Sequence, residues 1–136
     1  MNPKAVALQK RTRAFHNRVI TFVEQLPSHV AARRIIPQLL DSAGSTASNY
    51  RSACRGRSNR EFIAKLGVAA EEADETKGWL QALLDAGLGD AAELAALVSE
   101  ADELTAIFVA SQKTARANAE KRQRPRENAR RSRRQQ

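Results

Sequence analysis

Apolar residues in this chain recur every three or four positions in four separate runs, and that spacing admits few folds. Leu8, Phe15, Val19, Phe22 and Leu26 make a first stripe that stops at Pro27. Ile36, Leu39, Leu40, Ala43, Ala47, Tyr50 and Cys54 make a second, which stops at Gly56. Phe62, Leu66, Ala69, Ala73, Leu80 and Leu84 form the third, closed by Gly87-Leu88-Gly89, and Leu94, Leu97, Val98, Ala101, Leu104, Phe108 and Ala115 form the fourth. A half-buried strand alternates with a period of two, whereas a stripe at about 3.6 residues is one face of a helix. Ala and Leu outweigh the β-branched residues and aromatics make up only 4% of the chain, which also favours helix over sheet.

Local signals mark where the helices begin. Asn2-Pro3 suits a first turn, where the missing proline N–H does no harm. Ser28 can cap a second helix, and Pro37 should kink it or break its start. Ser58 and Glu61 form a capping box, and Asp90 with Glu93 repeats the signal. The spacing therefore predicts helices over about 4–26, 29–56, 59–86 and 91–118. Residues 1–115 read as an all-α, antiparallel, up-down-up-down four-helix bundle, since the turns after Cys54 and at Gly87-Leu88-Gly89 are too short for anything but antiparallel neighbours. Residues 116–136 have no apolar side chain larger than Ala and contain Pro125, so this Arg-rich tail is expected to be disordered when free.

Charge is segregated. Up to Arg60, eleven Lys and Arg side chains face only Glu24 and Asp41; from Glu61 to Ala115, three lysines face eleven carboxylates; from Arg116 on, nine basic residues face Glu120 and Glu127. The sign changes within the stretch from Ser42 to Leu80. A net charge of +8 implies an anionic partner, and RNA or DNA is the natural one. Candidate phosphate contacts are Arg11, Arg13 and Arg18 on the first helix, Arg57 and Arg60 in the turn, and Arg122, Arg124, Arg126, Arg130, Arg131, Arg133 and Arg134 in the tail. The plain alternative is neutralisation of basic helices by acidic ones. For Arg51 and Arg55, which flank the second stripe, the two readings weigh equally.

A large aromatic off the buried stripe suggests a second contact surface, either within a widened core or between subunits. Trp79 is such a residue and Val68 is another apolar residue off the stripe; with Arg51, Arg55, Glu72 and Glu75 they form the candidate interface of a homo-oligomer, in which one subunit's basic half meets another's acidic half. Gly78, in mid-helix, would fit close packing of a neighbour. No catalytic constellation, cofactor site or metal site is apparent. His16 and His29 are isolated, Cys54 lies on an apolar stripe, and the acidic helix lacks the Glu-x-x-His element of metal-binding bundles. No segment approaches the roughly 18 apolar residues of a membrane span, no signal-peptide core precedes the first helix, and a cytoplasmic location is the expectation.

Asn49-Tyr50-Arg51-Ser52-Ala53-Cys54-Arg55, Ser58, Glu61-Phe62, Lys65-Leu66, Glu71-Glu72-Ala73-Asp74-Glu75 and Trp79-Leu80, preceded by Gln38-Leu39 and Ser42-Ala43, resemble the bacterial four-helix-bundle family of proteins encoded in intervening sequences of 23S ribosomal RNA genes. That family is similar to the accessory proteins of diversity-generating retroelements. The resemblance spans about residues 8–115 and implies a bundle that assembles into a pentameric ring and, in the retroelement members, binds nucleic acid and a reverse transcriptase through basic surface. Gly78 and the long tail depart from the pattern. The function it suggests is non-catalytic: electrostatic binding of RNA or DNA, as an accessory to a nucleic-acid enzyme. The competing class is a structural or protein-interaction scaffold whose charge asymmetry serves only self-assembly.

Overall fold

A computed structural model describes residues 2–136. Four helices follow one another: α1 (Pro3–Glu24), α2 (Val30–Cys54), α3 (Asn59–Asp85) and α4 (Ala91–Arg134). Each packs on its neighbours in the order α1, α2, α3, α4 and back to α1, with α3 seated most closely against α2 and α4. This is the up-down-up-down bundle that the stripes predict. Phe15, Val19, Leu39, Leu66, Leu80, Leu83, Leu94, Leu97, Leu104 and Phe108 fill the core, and Tyr50 stacks on Phe108 with ring centroids 5.5 Å apart.

Three small hydroxyl side chains are buried where α2 meets α3. Thr76 Oγ1 donates to Ser42 Oγ at 2.9 Å, Ser42 donates to the Leu39 carbonyl at 3.1 Å, and Thr46 donates to the Ser42 carbonyl at 2.8 Å. A short hydroxyl lets two backbones approach, and each of these is bonded, as burial requires. The small-residue part of α2 thus serves packing inside the subunit.

The turns follow the expected chemistry, with two adjustments. Asn2 Oδ1 accepts from the Lys4 N–H at 2.8 Å to open α1, and Asp90 Oδ1 accepts from the Glu93 N–H at 2.9 Å to open α4. At α3, Ser58 Oγ accepts from the Glu61 N–H at 3.2 Å, but the Glu61 carboxylate reaches one residue beyond the usual box and accepts from the Arg57 N–H at 2.7 Å. α2 is capped by His29, whose Nδ1 accepts from the Ala31 N–H at 3.1 Å, and not by Ser28. α3 ends with Leu88 N–H donating to the Leu83 carbonyl at 2.9 Å and Gly87 N–H to the Leu84 carbonyl at 3.1 Å, an arrangement that places Gly87 in the left-handed region at φ 69°.

Three expectations need correction. α2 runs unbroken through Pro37, with Ile35 packed against the core before it and Leu39 buried in the core after it. Gly78 does not mark a close approach within the subunit: a Cβ placed there meets no atom within 4 Å. Finally, the tail is not disordered in this structure; α4 continues to Arg134, well past the bundle. Ala, Arg, Gln, Glu and Lys are strong helix formers, Glu120–Arg124 and Glu127–Arg131 stand at the favourable four-residue spacing, and Arg131, Arg133 and Arg134 complement the dipole at the C-terminal end. Pro125 removes one N–H from an exposed turn, where water can satisfy the orphaned carbonyl.

Candidate nucleic-acid interface

The antiparallel pairing of α1 and α4 decides which cations are free. Arg11 lies beside Glu100, with Nε donating at 2.9 Å and Nη2 to the second carboxylate oxygen, and it also reaches Glu103. One heptad on, Arg18 meets Glu93 at 3.2 Å. The seven-residue step of the arginines on α1 matches the seven-residue step from Glu93 to Glu100, so the pairs fix the register of these two helices. Hydrogen bonding to Glu100, with Glu103 adding to it, raises the Arg11 guanidinium above its already high range. Both side chains are therefore engaged within the subunit, and of the three candidates on α1 only Arg13 faces solvent without an ion pair among the described residues.

Arg13 instead lines a groove of about 560 Å³ between α1 and α2, together with Lys10, His16 and Arg51. Arg51 and Arg55 are exposed and make no ion pair among the described residues, so the acidic face of α3 does not neutralise them. Glu71, Asp74 and Glu75 on that face are likewise exposed; Val68 is 38% exposed, and Trp79 is half-buried with its N–H 3.4 Å from Glu75 Oε1. Burial, with Glu75 and Glu71 close by, raises the Glu72 carboxyl above its ordinary range. Lys77 pairs with Asp102 at 2.8 Å.

The turn between α2 and α3 comes against the side of α4, and this gathers cations that are remote in sequence. Arg60 shares a cleft with Arg116, Arg122 and Arg126, and Arg57 shares the adjoining one with Arg122. A third hollow further out lies between Arg126 and Arg130. None of these arginines has a carboxylate within ion-pair distance among the described residues. Arg124, Arg131, Arg133 and Arg134 stand on the same projecting helix. Arg116, which opens the basic tail, was not among the candidate phosphate contacts; only the position of the turn reveals that it shares a cleft with Arg60.

Comparison with known proteins now bears on this arrangement. Residues 4–110 match the family described as 23S rRNA-intervening sequence protein. The chain belongs to that family. Its fold is shared by a crystal structure of a protein of unknown function from the S23 ribosomal protein family of Bacteroides thetaiotaomicron, with a TM-score of 0.71 and 24% identity over 81% of this chain and 98% of that one. No curated protein matches significantly. The family match stops at residue 110, so the basic extension of α4 lies outside it. Among the described residues no three His, Cys, Asp or Glu side chains come together to hold a metal ion, and no helix is long and apolar enough to cross a membrane.

Proposed function

We propose that this chain is a non-catalytic, homo-oligomeric bundle, assembled as a pentameric ring, that binds RNA or DNA electrostatically as an accessory to a nucleic-acid enzyme. What supports the binding most is the contrast between two sets of arginines. Those of α1 that face α4 are paired with carboxylates, while Arg57, Arg60, Arg116, Arg122 and Arg126 converge at one end of the bundle with no pairing acid among the described residues. Cations that serve only solubility gain nothing by converging, since mutual repulsion opposes it; a polyanion offsets that repulsion and releases counterions.

Replacing Arg57, Arg60, Arg122 and Arg126 together by Gln tests this. Binding of a labelled structured RNA or duplex DNA at low salt should weaken by about a hundredfold, whereas Arg11→Gln should leave it within about twofold, since that guanidinium is held by Glu100. Equal binding by the fourfold variant and the parent would refute the assignment.

The scaffold reading has its own support. Arg51 and Arg55 on α2 and Glu71, Asp74 and Glu75 on α3 make no ion pair among the described residues, and Val68 and Trp79 flank the acidic face. A contact between these two faces of neighbouring copies joins unlike patches, which is the geometry that closes rings.

A further inference from the structure

Along α4 the inward-facing row changes chemistry without changing register. Leu94, Leu97, Ala101, Leu104 and Phe108 are buried, Ala115 and Ala119 continue the row where the bundle ends, and its next positions are Arg122, Arg126, Arg130 and Arg133. A row built to meet another helix would stay apolar. On the far flank, about 150° round the helix, stand Arg124 and Arg131, seven residues apart.

The broad face between the two flanks carries Pro125, Asn128, Ala129 and Ser132, all small, with Lys121 at its bundle end. Glu120 and Glu127 lie on the opposite side, and every residue from Glu120 onward is exposed. From Ala119 to Arg134 the helix projects about 24 Å at 1.5 Å per residue. Beyond the cleft it shares with the α2–α3 turn, it is therefore a rod with a broad small-residue face, charged only at Lys121 and bordered on both sides by arginines.

Resting on the reading of this end as a nucleic-acid interface, we propose that the projecting part of α4 docks as a rigid helix in the major groove of duplex DNA. Its small face turns toward the base edges, and its two arginine flanks meet the phosphates of opposite strands. A helix of about 10–12 Å diameter matches a groove about 12 Å wide. The major groove of A-form RNA is too deep and narrow to admit it. Arg60 and Arg57 prolong the flank of Arg122 and Arg126 toward the bundle, where the same strand would continue. Lys121, Asn128 and Ser132 are the only polar groups on that face, too few to specify a long sequence, so the binding is groove-selective and largely indifferent to sequence.

The test compares a mixed-sequence DNA duplex, the RNA duplex of the same sequence and the single DNA strand, each against the full chain and Ala129→Pro. This substitution sets a second proline one turn after Pro125, so that two successive turns of the exposed helix lose a backbone bond and the helix is broken there, and it leaves charge and bundle untouched. The DNA duplex should bind at least about tenfold more tightly than the other two, and Ala129→Pro should remove that preference while leaving RNA and single-strand binding within about twofold. Equal affinity for all three, or a DNA preference that survives Ala129→Pro, would overturn groove docking while leaving electrostatic binding in place. Tighter binding of the RNA duplex would overturn it as well. No binding of any of the three at low salt would overturn the functional reading beneath it.

Discussion

Single residues show how a helical protein divides its small side chains between packing and exposure. Thr76 sits at the crossing of α2 and α3, with its hydroxyl bonded to Ser42. Thr76→Val keeps the shape and removes the bond, and should cost about 1 kcal/mol by thermal or urea unfolding. Gly78 is the opposite case. It is exposed in mid-helix with nothing near its missing Cβ, so Gly78→Ala should stabilise the isolated subunit by about 1 kcal/mol. A loss of stability or of assembly instead would place Gly78 at a contact between subunits. Glu72 titrates against its surroundings. Burial and two neighbouring carboxylates make the folded chain hold this proton more tightly than the unfolded chain does. Stability from this group is therefore greatest in acid and declines as pH rises from the ordinary carboxylate range through the raised value. Glu72→Gln should stabilise the subunit at neutral pH by about 0.3 kcal/mol, and the advantage should vanish below about pH 4.

At the scale of elements, the four helices were legible because each announces itself twice, by an apolar stripe and by a capping residue. Ser58 with Glu61 and Asp90 with Glu93 placed two N-termini to the residue. His29 went unnoticed because an imidazole cap has no spacing signature, and the preceding Ser looked like the better acceptor. The C-terminal end of α4 was misjudged for a different reason: an Arg-rich segment without apolar residues cannot build a core, yet it needs none when it merely prolongs a helix already nucleated by the bundle. The interface was half legible. Composition pointed to the arginines of the tail and turn, but which of them share a cleft depends on where the α2–α3 turn meets α4. The pairing of Arg11 and Arg18 required the register of α1 against α4, which the heptad steps in both helices encode but which only the shared geometry discloses. The helical extension itself is testable: removing residues 116–136 should lower the helical signal in far-UV circular dichroism in proportion to the residues lost, whereas no change in helical residue count would mean that the segment is unstructured in solution.

The whole molecule is a bundle with its acids and bases on different faces and a cationic rod at one end. In a single subunit, α4 satisfies Arg11 and Arg18 of α1, and α2 and α3 are left with opposite charges facing outward. A ring in which Arg51 and Arg55 meet the Glu72, Glu75 and Trp79 face of the next copy would resolve that imbalance. Light scattering at micromolar concentration should then give a mass about five times that of the chain, and Arg51→Glu with Arg55→Glu should reduce it toward the monomer. A monomer mass for the unmodified protein would exclude the ring. The projecting helices of such a ring would multiply the contacts made by each subunit, so assembly and binding should weaken together in that variant. The electrostatic claim itself is tested most directly by titrating nucleic-acid affinity against salt. A straight line of log affinity against log salt is expected, with a slope of about −5 for duplex DNA, falling to about −2 when residues 116–136 are removed and only Arg57 and Arg60 remain at that end. A flat line, or a slope unchanged by the deletion, would contradict it.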